Sequence, residues 1–153
     1  MSVRDIDNDP DKAFGIGFPL NYDPNRDNGF FQQNYSYYRQ IQDNIRNLLS
    51  TRIGERPGRP EFGSKLFEVI FEQNDAAILK PRVEEVIREA LDTFLPFVSL
   101  VDTKLVANGN TLNVVAKFDT EFTDEVIEQV LAFDNGASES GEGSSGGESG
   151  GGY

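Results

Sequence analysis

Thr51-Arg52-Ile53-Gly54-Glu55-Arg56-Pro57-Gly58-Arg59-Pro60-Glu61-Phe62-Gly63-Ser64 is the stretch on which the reading of this chain turns. Its glycines and prolines exclude the interior of a helix or strand. It also carries Arg52, Arg56 and Arg59, Glu55 and Glu61, and the aromatic Phe62. Connections between helices usually run about two to eight residues. A longer, charged and conformationally restricted loop is a functional element or a packing device.

Apolar periodicity flanks the loop on both sides. Before it, Tyr38, Ile41, Ile45, Leu48 and Leu49 recur at helical spacing, with Arg39, Asp43, Arg46 and Asn47 off the stripe. That predicts a helix over about 35–50. After it, Ser64 is placed to cap a short helix whose apolar face is Leu66, Phe67, Ile70 and Phe71. Glu68 misses the capping-box position, so the expected cap is a simple one. A third helix can start at Asn74 or Asp75, with Leu79, Val83, Val86, Ile87, Ala90, Leu91 and Phe94 in one stripe. Pro81 fits only a first turn, so the regular helix is expected to begin near Leu79 and to end at Pro96.

The next segments change period. Val98–Ala107 and Thr111–Phe118 are rich in β-branched residues and are joined through Asn108-Gly109, a hairpin signal. Leu112, Val114, Ala116 and Phe118 fall on one face. Thr123 to Phe133 is open to two readings. Val126, Ile127, Val130 and Leu131 fit a helix capped at Thr123 or Asp124, which propensity slightly favours. Ile127, Gln129, Leu131 and Phe133 fit a strand, and a two-stranded hairpin needs such support. The predicted fold class is α+β, with N-terminal helices followed by a small antiparallel sheet.

Composition divides the chain into three zones. Residues 1–34 form an extended N-terminal arm, polar and rich in Asp, Asn, Gly and Pro. Phe14, Ile16, Phe18, Leu20 and Tyr22 alternate there, as in an extended segment laid against something apolar. Residues 35–133 are the globular domain, with 11 basic against 16 acidic side chains. Residues 134–153 are Gly-, Ser- and Glu-rich, cannot bury surface, and are expected to be disordered.

The charge and the missing residue types exclude whole classes of function. A net charge of −12 opposes bulk attraction to nucleic acid or an anionic membrane. Without cysteine there are no disulfides, thiolate nucleophiles or thiolate-bound metals. Without histidine a Ser-His-Asp or Cys-His mechanism within the chain is impossible. No apolar run approaches the roughly 20 residues of a membrane span, and Met1–Asp5 opens no signal peptide, so synthesis in a cytoplasm is expected. Asp5-Ile6-Asp7-Asn8-Asp9-Pro10-Asp11 resembles a calcium loop, but Pro10 stands where that loop needs Gly and the closing Glu is missing. Gly58 to Lys65 approaches a phosphate-binding loop, but Ser64 and Lys65 are in swapped order, no strand precedes them, and Pro60 removes an amide.

Two further readings concern the loop's charges. Glu55 and Glu61 could act as a glycosidase acid and base. The acid would need an apolar site, whereas Arg52, Arg56 and Arg59 stand close in sequence, and opposite charges favour the ionised carboxylate. The expected role of Glu55 and Arg56 is therefore to hold the loop by charge-assisted hydrogen bonds. The arginines either pair with Glu55, Glu61 and acidic helix faces, or recognise carboxylates of a partner.

The segment from Asn44 to Leu66 resembles the signature of the gene-25-type baseplate wedge proteins of contractile-tailed phages. The matching pattern is Thr51, a two-residue gap, Gly54-Glu55-Arg56-Pro57, then Pro60-Glu61-Phe62-Gly63-Ser64, Leu66, and a Phe-Glu pair supplied by Phe67-Glu68 or Phe71-Glu72. The family includes the E subunit of the type VI secretion baseplate. The likeness spans about residues 35–120, and Asp5-Ile6-Asp7 resembles the family's N-terminal start.

The resemblance implies a structural subunit of the virion tail baseplate, assembled in the host cytoplasm and present in multiple copies. Its implied partners are other baseplate wedge proteins and the tail sheath protein, with no nucleic acid, membrane, cofactor, metal or catalytic residue involved. The sheet would resemble the sheath protein's C-terminal domain and help initiate sheath assembly, with the hairpin at 98–118 joined by strand addition. The implied loop-fixing or partner-facing residues are Arg52, Glu55, Arg56, Pro60, Phe62 and Gly63. Leu95, Pro96 and Phe97 come second. They stand where the family often carries Glu-Pro-Arg; only the Pro is kept, so a charged dock has become apolar. The competing readings are a peptidoglycan-degrading, lysozyme-like tail protein using Glu55 and Glu61, and a bacterial regulator that borrows the fold to bind another protein.

Overall fold

The computed structural model describes residues 13–22, 31–72 and 76–134. The expectations for the acidic segment 5–11, for Asn74 and Asp75, and for the Gly/Ser-rich segment after Asp134 lie outside the described residues. The elements in chain order are β1 (Gly15–Ile16), β2 (Gln33–Asn34), α1 (Tyr37–Ser50), α2 (Leu66–Glu72), α3 (Ala76–Phe94), β3 (Val98–Asn108), β4 (Thr111–Thr120) and β5 (Thr123–Asp134). The α+β class and the antiparallel sheet are as the sequence predicts.

Each helix buries the stripe its spacing implies. Ile41, Ile45, Leu48 and Leu49 are buried on α1; Leu79, Val83, Val86, Ile87, Ala90 and Leu91 are buried on α3. On α2, Leu66, Val69 and Ile70 are buried, while Phe71 stays largely exposed. The helix α3 begins at Ala76, before the predicted start near Leu79. Pro81 is the sixth residue of this helix and exposed, so the expectation that it fits only a first turn is corrected; its missing N–H costs the helix one backbone bond near the N-terminus.

The main sheet has the order β3-β4-β5, antiparallel throughout. Gly109 takes φ +58° in the tight turn between β3 and β4, where a left-handed residue matches the strand twist. The segment Thr123–Asp134 is a strand, so the slight preference for a helix is corrected. Ile127, Gln129, Leu131 and Phe133 face the core, while Val126 and Val130 lie on the outer face. The helix-like spacing arose because the solvent face of this strand also carries valines. Pairing with β4 gives that strand a second neighbour, which a helix could not supply.

Between Leu100 and Asp102 the register of β3 shifts, leaving Val101 as an extra, exposed residue. This bulge changes the alternation, so Leu100 and Thr103 both turn inward. Thr103 is fully buried and its Oγ1 has no hydrogen-bond partner among the described residues. The helices cover one face of the sheet, α1 against β5 and α3 against β3, with α2 against α3. Phe118, on the central strand, is fully buried between them.

The described part of the arm folds back on the domain. β1 and β2 pair antiparallel, and Tyr22 bridges Phe31 further along. Asp43 on α1 holds this hairpin: its Oδ2 accepts from the Phe18 amide at 3.0 Å and from Asn34 Nδ2 at 2.7 Å. Phe14 packs on Tyr37, with ring centroids 4.3 Å apart. The other alternating residues, Ile16, Phe18, Leu20 and Tyr22, are exposed rather than laid on an apolar surface. Hydrogen bonds to Asp43 and the Phe14–Tyr37 contact anchor the described part of the arm.

Candidate docking loop and its surroundings

The loop between α1 and α2 is exposed yet tied down. Hydroxyls donate to carbonyls in the last two turns of α1, where the final carbonyls have no intrahelical partner. Ser50 Oγ donates to Arg46 O at 2.7 Å, Thr51 Oγ1 to Asn47 O at 2.6 Å, and Ser64 Oγ to Leu49 O at 3.0 Å. The Ser64 amide donates to Thr51 O at 2.9 Å, so the loop's two ends are clasped. Ser64 therefore serves the end of α1 and does not cap α2 as predicted. Gly63 sits inside the clasp at φ +135°, where an added Cβ would lie 2.6 Å from Thr51 O.

Between the clasped ends run successive turns whose residue types suit them. Glu55 N donates to Arg52 O at 3.1 Å around Gly54 at φ +88°. Arg59 N donates to Arg56 O at 3.2 Å around Pro57 and Gly58, the latter at φ +82°. Proline second and a positive-φ glycine third is the pattern of a type II turn. Phe62 N donates to Arg59 O around Pro60 at 3.1 Å, and Gly54 N to Pro60 O at 2.7 Å crosses the loop. Proline here fixes φ, and the cross-bond ties the first turn to the last.

The side chains then divide the loop into two faces. The Arg52 guanidinium lies 3.9 Å from the Phe67 ring centroid on α2. The Arg56 guanidinium lies 4.4 Å from that of Phe62 and donates through Nη2 to Asn47 Oδ1 at 3.3 Å. Phe62 in turn meets Phe94 edge-on at 5.1 Å. Stacking over a ring holds a planar guanidinium while leaving donors on its edge.

Glu55 does not pair with an arginine side chain: its Oε2 accepts the Arg52 backbone amide at 3.0 Å. Glu61 is exposed. Among the described residues no carboxylate comes within ion-pair distance of Arg52, Arg56 or Arg59. Pairing of these arginines with Glu55, Glu61 and the helix faces, one of the two readings above, is thus not found among the described residues; Arg52 instead meets an aromatic ring, and Arg56 a ring and an asparagine.

A cavity of about 190 Å³ opens beside Arg56 and Arg59, with Leu48, Phe62, Phe94 and Leu95 as apolar lining and Asn44 and Asn47 as polar lining. The structure brings Leu95 to this loop. Pro96 is exposed, and Phe97 packs edge-on against Phe122 at 5.2 Å. Sequence reasoning gave no role to Asn44 or Asn47, which sit on α1 a turn or two before the loop. Asn44 stands four residues before Leu48, a spacing that puts both on one face of a helix; no such spacing from Leu48 singles out Asn47. On the other side of the loop a smaller cavity of about 120 Å³ is lined by Glu61, Lys65 and Glu89, where Lys65 Nζ and Glu89 Oε1 are 3.4 Å apart. Neither Glu55 nor Glu61 stands in the water-excluding enclosure that a general acid needs. Among the described residues no group of acidic side chains could hold a metal ion, and no helix is long and apolar enough to cross a membrane.

Sequence comparison matches residues 36–123, from the start of α1 to the first residue of β5, with the family described as baseplate wedge protein gp25. That is 88 of 153 residues, more than half. The chain belongs to this family, the baseplate wedge proteins of contractile phage tails. Two solved structures share the fold. A candidate tail lysozyme from Geobacter sulfurreducens is 23% identical, with a TM-score of 0.55 over 67% of this chain and 95% of that one. A chain of the anti-feeding prophage baseplate is 18% identical, with a TM-score of 0.52 over 81% of this chain and 86% of that one. No curated protein sequence matches at a significant level.

Proposed function

We propose that this protein is a structural, non-catalytic wedge subunit that joins inner-baseplate wedge proteins and helps initiate sheath assembly. The observation carrying the reading is the coincidence of the family match with the clasped loop, an exposed element held rigid by its own turns. A rigid element loses little conformational entropy on binding and so suits permanent assembly. Arg52, Glu55, Arg56, Pro60, Phe62 and Gly63 fix or present the loop, with Leu95, Pro96 and Phe97 beside it. Its partners are other wedge proteins and the tail sheath protein, met in several copies in a symmetric baseplate put together in the host cytoplasm.

The sheet supports the second half of the proposal. Among the described residues β4 is paired on both sides, leaving β3 and β5 as edges. Long edge strands are templates for strand addition. In the hairpin at 98–118 the outer strand is β3, the element we assign to the sheath protein. A lysozyme-like activity through Glu55 and Glu61 gains no support from an exposed Glu61 and a Glu55 engaged by a backbone amide. Co-expression with the neighbouring baseplate proteins, followed by electron imaging, tests the proposal. Recovery within a wedge-like or ring-like complex is expected; a monomer that never joins one contradicts it.

A further inference from the structure

We infer that the cavity beside Arg56, Arg59 and Leu95 is a docking pocket for an acidic segment of a partner protein, one that inserts a Leu- or Phe-sized side chain flanked by carboxylates. The inference rests on the reading of this chain as a protein-binding subunit. It adds the chemistry of what is bound and where.

The floor and the rim of the pocket call for different halves of such a ligand. Leu48, itself buried, and the half-buried Phe62, Phe94 and Leu95 make its apolar lining. A single large apolar side chain inserted there would leave water for apolar surroundings, which favours binding. The rim carries two guanidiniums and no carboxylate. Arg56 is already placed, its guanidinium over the Phe62 ring and tethered by Asn47. No other hydrogen bond or ion pair occupies its remaining donors among the described residues. Planar forked donors fixed in this way match a carboxylate bidentately.

Charge complementarity selects the partner. The chain carries −12 overall, so two guanidiniums without ion-pair partners among the described residues form a local exception on an otherwise acidic molecule. Like-charge repulsion elsewhere and attraction here would set the register of an acidic segment on this face. A basic or neutral segment would leave the arginines desolvated and uncompensated.

Fluorescence anisotropy on the full chain tests this with a labelled peptide carrying one Phe between two pairs of acidic residues. Saturable binding is expected, weakening with added salt. It should fall at least about tenfold when the Phe is replaced by Ser, and likewise for the double variant Arg56→Gln, Arg59→Gln. The melting curve of that variant checks that it folds. Hydrogen exchange on the unmodified protein is a second readout: added peptide should slow exchange at residues 56–62 and leave the β4 amides unchanged. Absence of saturable binding overturns the inference, as does equal binding by the Ser-substituted peptide or a folded double variant. So does at least tenfold tighter binding by a chain carrying Glu139→Gln, Glu142→Gln and Glu148→Gln, since the natural occupant would then be its own acidic segment. Peptide binding lost while the chain still enters a baseplate complex refutes only this pocket. Peptide binding kept while no complex forms refutes the baseplate proposal instead.

Discussion

Ser64 Oγ donates a 3.0 Å hydrogen bond to the carbonyl of Leu49, joining the first residue after the loop to the last turn of α1. Both residues are buried, Leu49 completely. Ser64→Ala leaves that carbonyl without this donor in a dry site, at a cost of about 1–3 kcal/mol. Urea unfolding followed by circular dichroism should show a lower midpoint with an unchanged slope. An unchanged midpoint would mean that the backbone bond from Ser64 to Thr51 alone holds the clasp.

Gly63 lies beside that bond at a φ that side-chain-bearing residues avoid. Gly63→Ala would push a Cβ against the Thr51 carbonyl, so the loop ends must separate. The expected loss is about 1–3 kcal/mol, with limited proteolysis newly cutting within 52–61. By contrast, an added Cβ at Gly58 meets nothing within 4 Å, so Gly58→Ala should carry only the strain of its positive φ.

Thr103 gives a prediction of opposite sign. Its hydroxyl is buried without a partner among the described residues, opposite Ala116 in the register of the sheet. Thr103→Val keeps the shape and removes the unmet hydroxyl, so it should stabilise the domain by roughly 1 kcal/mol. A thermal melt reads this directly. A lower melting temperature would reveal a hydrogen bond from this hydroxyl that the structure does not contain.

Asp43 is the residue through which α1 holds the arm. Asp43→Ala removes the acceptor for both the Phe18 amide and Asn34. The arm should become sensitive to protease at residues 14–34 while the domain's melting temperature moves little, because Asp43 lies outside the main core. An equally large loss of domain stability would show that the arm belongs to the cooperative unit.

Much of this architecture was legible because period and punctuation agreed. The α1 stripe ends where Gly and Pro begin, and Asn108-Gly109 separates two β-branched runs, so helix and hairpin both declare themselves. What misled was local. The outward valines of β5 imitate a helical stripe, and nothing in the run 98–107 marks Val101 as the bulged residue. Ser64 followed by an apolar run looks like an N-cap, but tertiary contact with Leu49 takes its hydroxyl. The glycines and prolines of the loop foretold its rigidity. They did not foretell that Arg56 would meet Phe62 and Asn47 rather than a glutamate, because same-chain charge pairing depends on three-dimensional placement that spacing alone does not supply.

The central claim is that the clasped loop exists to be held by other baseplate subunits. Its most direct test is electron imaging of the chain co-expressed with its neighbouring baseplate proteins, in wild-type form and as Glu55→Ala with Arg56→Ala. The account predicts a wedge-like or ring-like complex with the wild type, and its loss with the double variant while the free variant still melts cooperatively. A folded double variant that enters the complex as readily as the wild type would contradict it.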